Sequence, residues 1–226
     1  MSRRGAFVLT VLLVAALGGC ASEEKPRIPL GAARPATPVT LASPDESGLL
    51  PMSEWPAACD LLPEPVVREV LPAATLVELK RVTPASDGGD VVLPGDAECQ
   101  IRVDFAEAKE LQPGRRGGWI HLTVRVAGTP ELARKTYDEN IVTSVRGERT
   151  ACPPELVAAA GLDDCTAADS EWTFRKHGVA GQLWGIAPDL NRGVRFEGQK
   201  KGSGADVIWH DTVEAEFLRA VAARLP

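Results

Sequence analysis

This sequence is short of the side chains from which most active sites are built. Its 226 residues include one tyrosine, two methionines and three histidines. The histidines, His121, His177 and His210, stand far apart and match no metal-binding spacing. No Cys-x-x-Cys pair is present to seed a zinc cluster. Neither Ser170 nor Ser203 lies in the Gly-x-Ser-x-Gly turn that presents a hydrolase nucleophile. The phosphate loop Gly-x-x-x-x-Gly-Lys-Ser/Thr is missing, although glycines flank both Arg115-Arg116 and Lys200-Lys201. No apolar run reaches the ~20 residues that a membrane-spanning helix needs. Basic residues are in the minority, 25 against 31 acidic ones, for a formal net charge of −6. That balance argues against nucleic acid as a partner and against electrostatic attraction of the whole chain to anionic lipid. The expectation is a protein that is not an enzyme and needs no cofactor.

What is present begins with Arg3 and Arg4, an uncharged apolar run over residues 6–17, and Leu17-Gly18-Gly19-Cys20. A basic start, a short apolar stretch and small residues at its exit describe a secretory signal. The ending resembles the bacterial lipobox, in which the cysteine is diacylated and the peptide is cut just before it. Residues 1–19 are therefore expected to be a lipoprotein signal peptide and Cys20 the lipidated mature N-terminus. The protein would then sit on the extracytoplasmic face of the cell membrane, held through its N-terminal lipid. Ser2-Arg3-Arg4 matches a twin-arginine signal only in part, so general secretion is the expected route.

Prolines at 26, 29, 35, 38, 44, 51 and 56 interrupt any helix or strand near the start of the mature chain. Residues 20–55 thus read as a lipid-anchored, proline-rich linker, able to span roughly 100 Å if extended and about 30 Å if coiled. Residues 56–226 read as one globular domain, large enough for a proper core. Four cysteines remain for it: Cys59, Cys99, Cys152 and Cys165. An even number in an exported domain predicts two disulfides, and three pairings are possible. Cys59–Cys99 with Cys152–Cys165 is favoured, because each bridge then closes within its own half. By loop entropy each contributes about 3–4 kcal/mol.

Apolar spacing divides the domain into helices and strands. Val66, Val67, Val70 and Leu71 recur at helical intervals, and Pro72 stops them. Residues 75–82 read as a strand. Cys99, Ile101, Val103 and Phe105 alternate with polar residues, as do Ile120, Leu122, Val124 and Val126. Thr129-Pro130 opens a helix reaching about residue 141. In the second half a short helix runs over residues 156–160, and strands are expected around Trp172 and Phe174, over 182–187 and over 193–197. Asp211-Thr212-Val213-Glu214 resembles a capping box ahead of a final helix. The predicted class is α+β, a mainly antiparallel sheet with packed helices, in the order helix, three strands, helix, repeated twice as in an internal duplication.

The opening Cys59-Asp60-Leu61-Leu62, followed by Val66, Val70 and a second cysteine at Cys99 within a strand, resembles the uncharacterised secreted lipoproteins of actinobacteria that share a Cys-x-Leu-Leu start. The resemblance could cover about residues 55–226. It implies a compact α+β domain of the PsbP-like kind and no established enzyme activity. Pro63 stands where that family caps its first helix with Thr or Ser.

Few residues compete for a functional role. Asp87, Asp90, Asp96 and Glu98 crowd a glycine-containing loop, but their spacing does not fit a calcium loop, and a solvated hairpin is expected. The arginine and lysine pairs read as basic hairpin tips. The aromatic content is concentrated in tryptophan: Trp119, Trp172, Trp184 and Trp209. Trp119 falls opposite the Ile120–Val126 core face and beside Gly117-Gly118, where bare backbone allows close approach. It is the residue expected to bind an envelope protein or a small hydrophobic or glycan ligand. The expected function is a non-catalytic envelope lipoprotein that binds a ligand or partner. The alternative is an enzyme modifying cell-wall or lipid components.

Overall fold

The structure, a computed structural model, describes residues 25–83, 93–113, 115–141, 149–168, 171–187, 189–200 and 202–226. Residues 1–24, with Cys20 and the segment expected to be a leader, and also Asp87, Asp90, Ser170 and Lys201, lie outside the described residues.

The alternating segments pair into one antiparallel sheet. Its strands are β2 (Ala74–Val82), β3 (Glu98–Phe105), β4 (Gly117–Ala127), β5 (Thr150–Ala151), β6 (Asp164–Ala168), β7 (Glu171–Lys176) and β8 (Val179–Ile186). They lie in the order β2-β3-β4-β8-β7-β6-β5. Three strands from the first half and four from the second thus meet at the β4–β8 pair, where Trp119 pairs with Ile186 and His121 with Trp184. The fold is mixed α+β with a mainly antiparallel sheet, as the patterning predicts.

Period-two alternation sends one set of side chains to the core. Cys99, Ile101, Val103, Phe105, Ile120, Leu122, Val124, Phe174 and Leu183 are fully buried on this inner face. The helices on that side are α1 (Ala58–Leu61), α2 (Glu64–Val70), α4 (Pro154–Ala160) and a long C-terminal helix. Gly161 closes α4 in the left-handed conformation, φ 62°. On the outer face, α3 (Pro130–Thr136) is capped by the Thr129 hydroxyl, which accepts from the Leu132 N–H at 3.2 Å. It continues into a π-helical turn, Tyr137–Ile141. The Tyr137 hydroxyl lies 3.4 Å from the Thr166 hydroxyl on β6.

Both expected disulfides are present, Cys59–Cys99 and Cys152–Cys165. The first ties α1 to β3, the strand next to the β2 edge. The second ties the lead-in of α4 to β6.

Three expectations need correction. The spacer expected over residues 20–55 does not hold from residue 26 onward, where the chain is laid on the domain. β1 (Arg27–Ile28) pairs in parallel with β9 (Arg195–Phe196), outside the main sheet. The Gly31 N–H donates to the Val70 carbonyl at 2.9 Å, and the Val39 N–H to the Arg224 carbonyl at 2.7 Å. Ile28, Leu50 and Trp55 are buried, and the Trp55 indole N–H donates to the Leu50 carbonyl at 2.9 Å. The prolines forbid regular ladders, not packing: the apolar residues between them still gain by leaving water.

Residues 193–197 do not form a strand of the sheet. They hold the end of α5 (Leu190–Gly193) and the two-residue β9, while the third strand of the second half is β6. Nor does Asp211 begin a helix. The helix starts at α6 (Ala205–Ile208) with Gly204 at its N-cap, passes through a π-helical turn at Trp209–Glu214, and continues as α7 (Ala215–Arg224). The apolar residues Ala205 and Trp209 bury ahead of the apparent capping box and extend the helix backward through it.

Candidate functional site

The β4–β8 pair is built from residues of opposite size on its two faces. Outward, at the end of the sheet near Gly117, stand Trp119 and Ile186, 38% and 44% exposed. The Arg102 guanidinium carbon lies 6.0 Å from the centre of the Trp119 ring. Its charge is shared with Asp104 at 2.8 Å and Glu78 at 3.7 Å. One row in, His121 stacks on Trp184 with ring centres 3.8 Å apart. His121 Nδ1 lies 3.4 Å from Glu98. Burial holds the His121 pKa below its ordinary 6.5, with Glu98 pulling the other way. His121 is therefore half-covered by its neighbour rather than solvent-facing. Further along, Thr123, Gln182 and Thr173 form a cross-strand row and are buried, under the turn that carries Tyr137. The outer face is thus closed at one end and open at the Trp119 end.

Inward, the same strands present Gly118 and Gly185. A Cβ on Gly118 would stand 2.7 Å from the Trp209 ring. One on Gly185 would stand 2.6 Å from Trp209 Nε1 and 2.7 Å from Glu214 Oε1. Glycine is required at both positions because Trp209 lies flat on the strands. The π-helical turn places Trp209, His210 and Glu214 over this spot, a local geometry that recurs at functional sites.

Glu214 is fully buried. Its Oε2 accepts from the Trp172 indole N–H at 3.1 Å and lies 3.0 Å from His210 Nδ1. His210 also stacks on Trp172, ring centres 4.8 Å apart. Glu214 Oε1 and Trp209 Nε1 have no hydrogen-bond partner among the described residues. Burial raises the Glu214 pKa from 4.5 to about 7, against the opposing pull of His210 and Trp172. The group borders a small cleft of about 160 Å³ that Ile186 and Ala187 also line. A carboxyl poised near neutrality beside an imidazole can exchange a proton. Among the described residues no serine, threonine or cysteine lines the cleft to act as a nucleophile.

A larger cleft of about 560 Å³ lies at the same end of the sheet, where Lys25, Lys109 and Arg192 face Glu107 and Glu110. Arg115, whose basic pair opens β4, bonds Asp189 at 2.8 Å.

The tryptophans singled out by sequence divide between the faces. Trp119 and Trp184 are outside; Trp172 and Trp209 are core. His177 occupies the β7–β8 turn at φ 49°, away from both other histidines. Among the described residues no three His, Cys, Asp or Glu side chains gather as a metal site. All four cysteines of the domain are oxidised. Glu214 escaped sequence reasoning because Asp-Thr-Val-Glu has a simpler meaning as a helix start. The signal that could have found it is the pair of glycines, Gly118 and Gly185, inside otherwise regular strands. No protein-family profile, no curated protein and no solved structure matches this chain.

Proposed function

We propose that this chain is a lipid-anchored binding protein of the extracytoplasmic membrane face, not an enzyme, and that the open Trp119 end of its sheet is the contact surface. The observation that carries the reading is the exposure of Trp119 and Ile186 side by side on a face whose other end is covered. A large rigid aromatic with apolar and cationic neighbours contributes contact area at low entropic cost. The Leu-Gly-Gly-Cys20 sequence after an apolar leader supports the anchor, and the two disulfides are in keeping with an oxidising compartment. The likeness to actinobacterial lipoproteins with a Cys-x-Leu-Leu opening belongs to the same proposal.

The enzyme alternative has one observation in its favour, the Glu214–His210 pair. It finds no nucleophile at the cleft among the described residues and stands second for that reason.

Two substitutions test the proposal. Cys20→Ser should leave the precursor uncut or release the protein from membranes; a fully processed Cys20→Ser protein that stays tightly bound would defeat the anchor. Trp119→Ala should weaken retention of the folded domain on isolated envelopes without unfolding it. Unchanged retention would remove Trp119 from the surface.

A further inference from the structure

We infer that the partner of the Trp119 surface is the bilayer itself: the domain rests on an anionic phospholipid surface by the end of the sheet from which its tether leaves. This deepens the proposed function and rests on Cys20 as the lipidated residue.

The first support is tether length. From Pro26 the chain is already on the domain, the Arg195 N–H donating to the Pro26 carbonyl at 2.9 Å. Only the step from Cys20 to Lys25 remains, and five residues span at most about 18 Å in any conformation. The Lys25 end of the domain therefore cannot stand further than that from the lipid.

The second support is where the apolar surface lies. Large exposed hydrophobic side chains among the described residues are Met52, Trp119, Ile186 and Val207. Trp119 and Ile186 sit two residues or fewer from the Gly117 end of the β4–β8 pair. Val207 is on α6, which packs against α5 and β9 beside the larger cleft. Met52 is at the opposite end, next to Leu50, whose N–H donates to the Ala127 carbonyl at 2.9 Å. The eleven residues of β4 separate the two ends by about 33 Å.

The third support is charge. Lys25, Lys109 and Arg192 line the cleft against Glu107 and Glu110. Arg27 and Arg195 are register partners on the adjoining β1–β9 pair. The cleft and the β1–β9 pair together carry five basic residues against Glu107 and Glu110, while the nearby Arg102 and Arg115 are matched by Asp104, Glu78 and Asp189, on a chain whose formal charge is −6. Indole rings favour the lipid headgroup zone, and basic side chains around them add attraction to anionic lipid. A protein partner fits less well. Trp119 and Ile186 side by side, with Val207 apart from them, fall far short of the ~800 Å² that each side of a stable interface buries, and nothing else would require the surface to lie within reach of the anchor.

The test uses the full, processed and lipidated protein in vesicles of phosphatidylglycerol and bromine-labelled phosphatidylcholine. Flotation with the vesicles is scored first; failure to float sinks the Cys20 reading and not the geometry. In floating protein the brominated chains should quench tryptophan emission, and Trp119→Phe should remove roughly half of that quenching or more. A Met52→Trp probe in the Trp119→Phe background should add an unquenched tryptophan. Lys109→Glu with Arg192→Glu should lower quenching by about twofold, only when phosphatidylglycerol is present. Floating protein without quenching, quenching untouched by Trp119→Phe, or quenching of the Met52→Trp probe equal to that of Trp119 would each overturn the inference. So would a Trp119 emission shift caused by soluble wall glycan without vesicles, which would assign the surface to a saccharide.

Discussion

On its outer side the end of the β4–β8 pair carries a tryptophan and an isoleucine in water; on its inner side, one residue along each strand, it carries two glycines under a buried tryptophan. The sequence alternation is the same on both faces, but the residues do opposite jobs. Trp119 has backbone support and little above it. Trp209 is 1% exposed and pressed onto strands that have given up their side chains to admit it. Tryptophan content alone therefore says nothing about a binding surface. What separates the two is what each ring meets: the glycine-bearing strands for Trp209, solvent for Trp119.

Removing each aromatic breaks that comparison most sharply. Trp209→Ala leaves a cavity over Gly118 and Gly185 and strips contact from Phe196, whose ring centre is 6.1 Å away. The expected cost is about 4 kcal/mol, typical of a buried aromatic truncated in a core. Chemical denaturation of the folded domain reads it directly. A loss comparable to that of Trp119→Ala would mean that the inner face is as loosely packed as the outer.

Gly185→Ala approaches the same packing from the strand side. Its new methyl would meet Trp209 Nε1, Glu214 Oε1 and the Trp119 carbonyl oxygen, the last at 2.9 Å. Two of these atoms end buried side chains, the Trp209 ring packed on Gly118 and the Glu214 carboxylate bonded by the Trp172 indole N–H, and one is backbone, so none yields easily. About 3 kcal/mol is expected, at the upper end of overpacking costs. A drop under ~1 kcal/mol in a thermal melt would show that Trp209 can move off the strands.

Glu214 sharpens the comparison through pH. Its pKa is about 7 in the fold, against an ordinary 4.5. The unfolded chain therefore ionises first, and the fold favours the protonated form. Stability from this group is full below about pH 4.5, falls as pH rises towards 7, and levels off above that. The linkage amounts to about 2.5 kcal/mol between pH 5 and pH 8. Glu214→Gln removes this titration, so the decline of the wild type should disappear, leaving the rise with pH that the depressed His121 pKa brings. Parallel profiles over that range would place the Glu214 carboxyl in water.

Much of this was legible beforehand, and the reasons are specific. The strands around Ile101 and Leu122 alternate cleanly because one face is core and the other polar. The disulfides followed from an even cysteine count and short closure within each half. Residues 26–55 were not legible: proline density describes what the backbone cannot pair with, and is silent on whether Ile28, Leu50 and Trp55 find a groove. The Asp211–Glu214 segment was misread because capping is a local pattern, whereas the helix there is carried through by Trp209 burying against strands far away in sequence. Trp119 was placed on the correct face by alternation alone. The openness of that face depends on where α3 ends, which periodicity does not give.

Trp119→Ala is the smallest expected change in stability and the one that decides what the outer face is for. The ring loses contact with Ile186 and the Arg102 guanidinium, whose interaction with an exposed indole contributes about 0.5–1 kcal/mol. Arg102 keeps Asp104 and Glu78, so no charge is orphaned. A total cost of about 1–2 kcal/mol is expected, the span of substitutions at half-exposed strand positions with some lost packing. The disulfides and the core beneath Ile120 and Leu122 are untouched. Measured by denaturation, this loss should be well under half that of Trp209→Ala. A cost equal to that of Trp209→Ala would make Trp119 a packing residue, and the outer face would then have no claim as a contact surface.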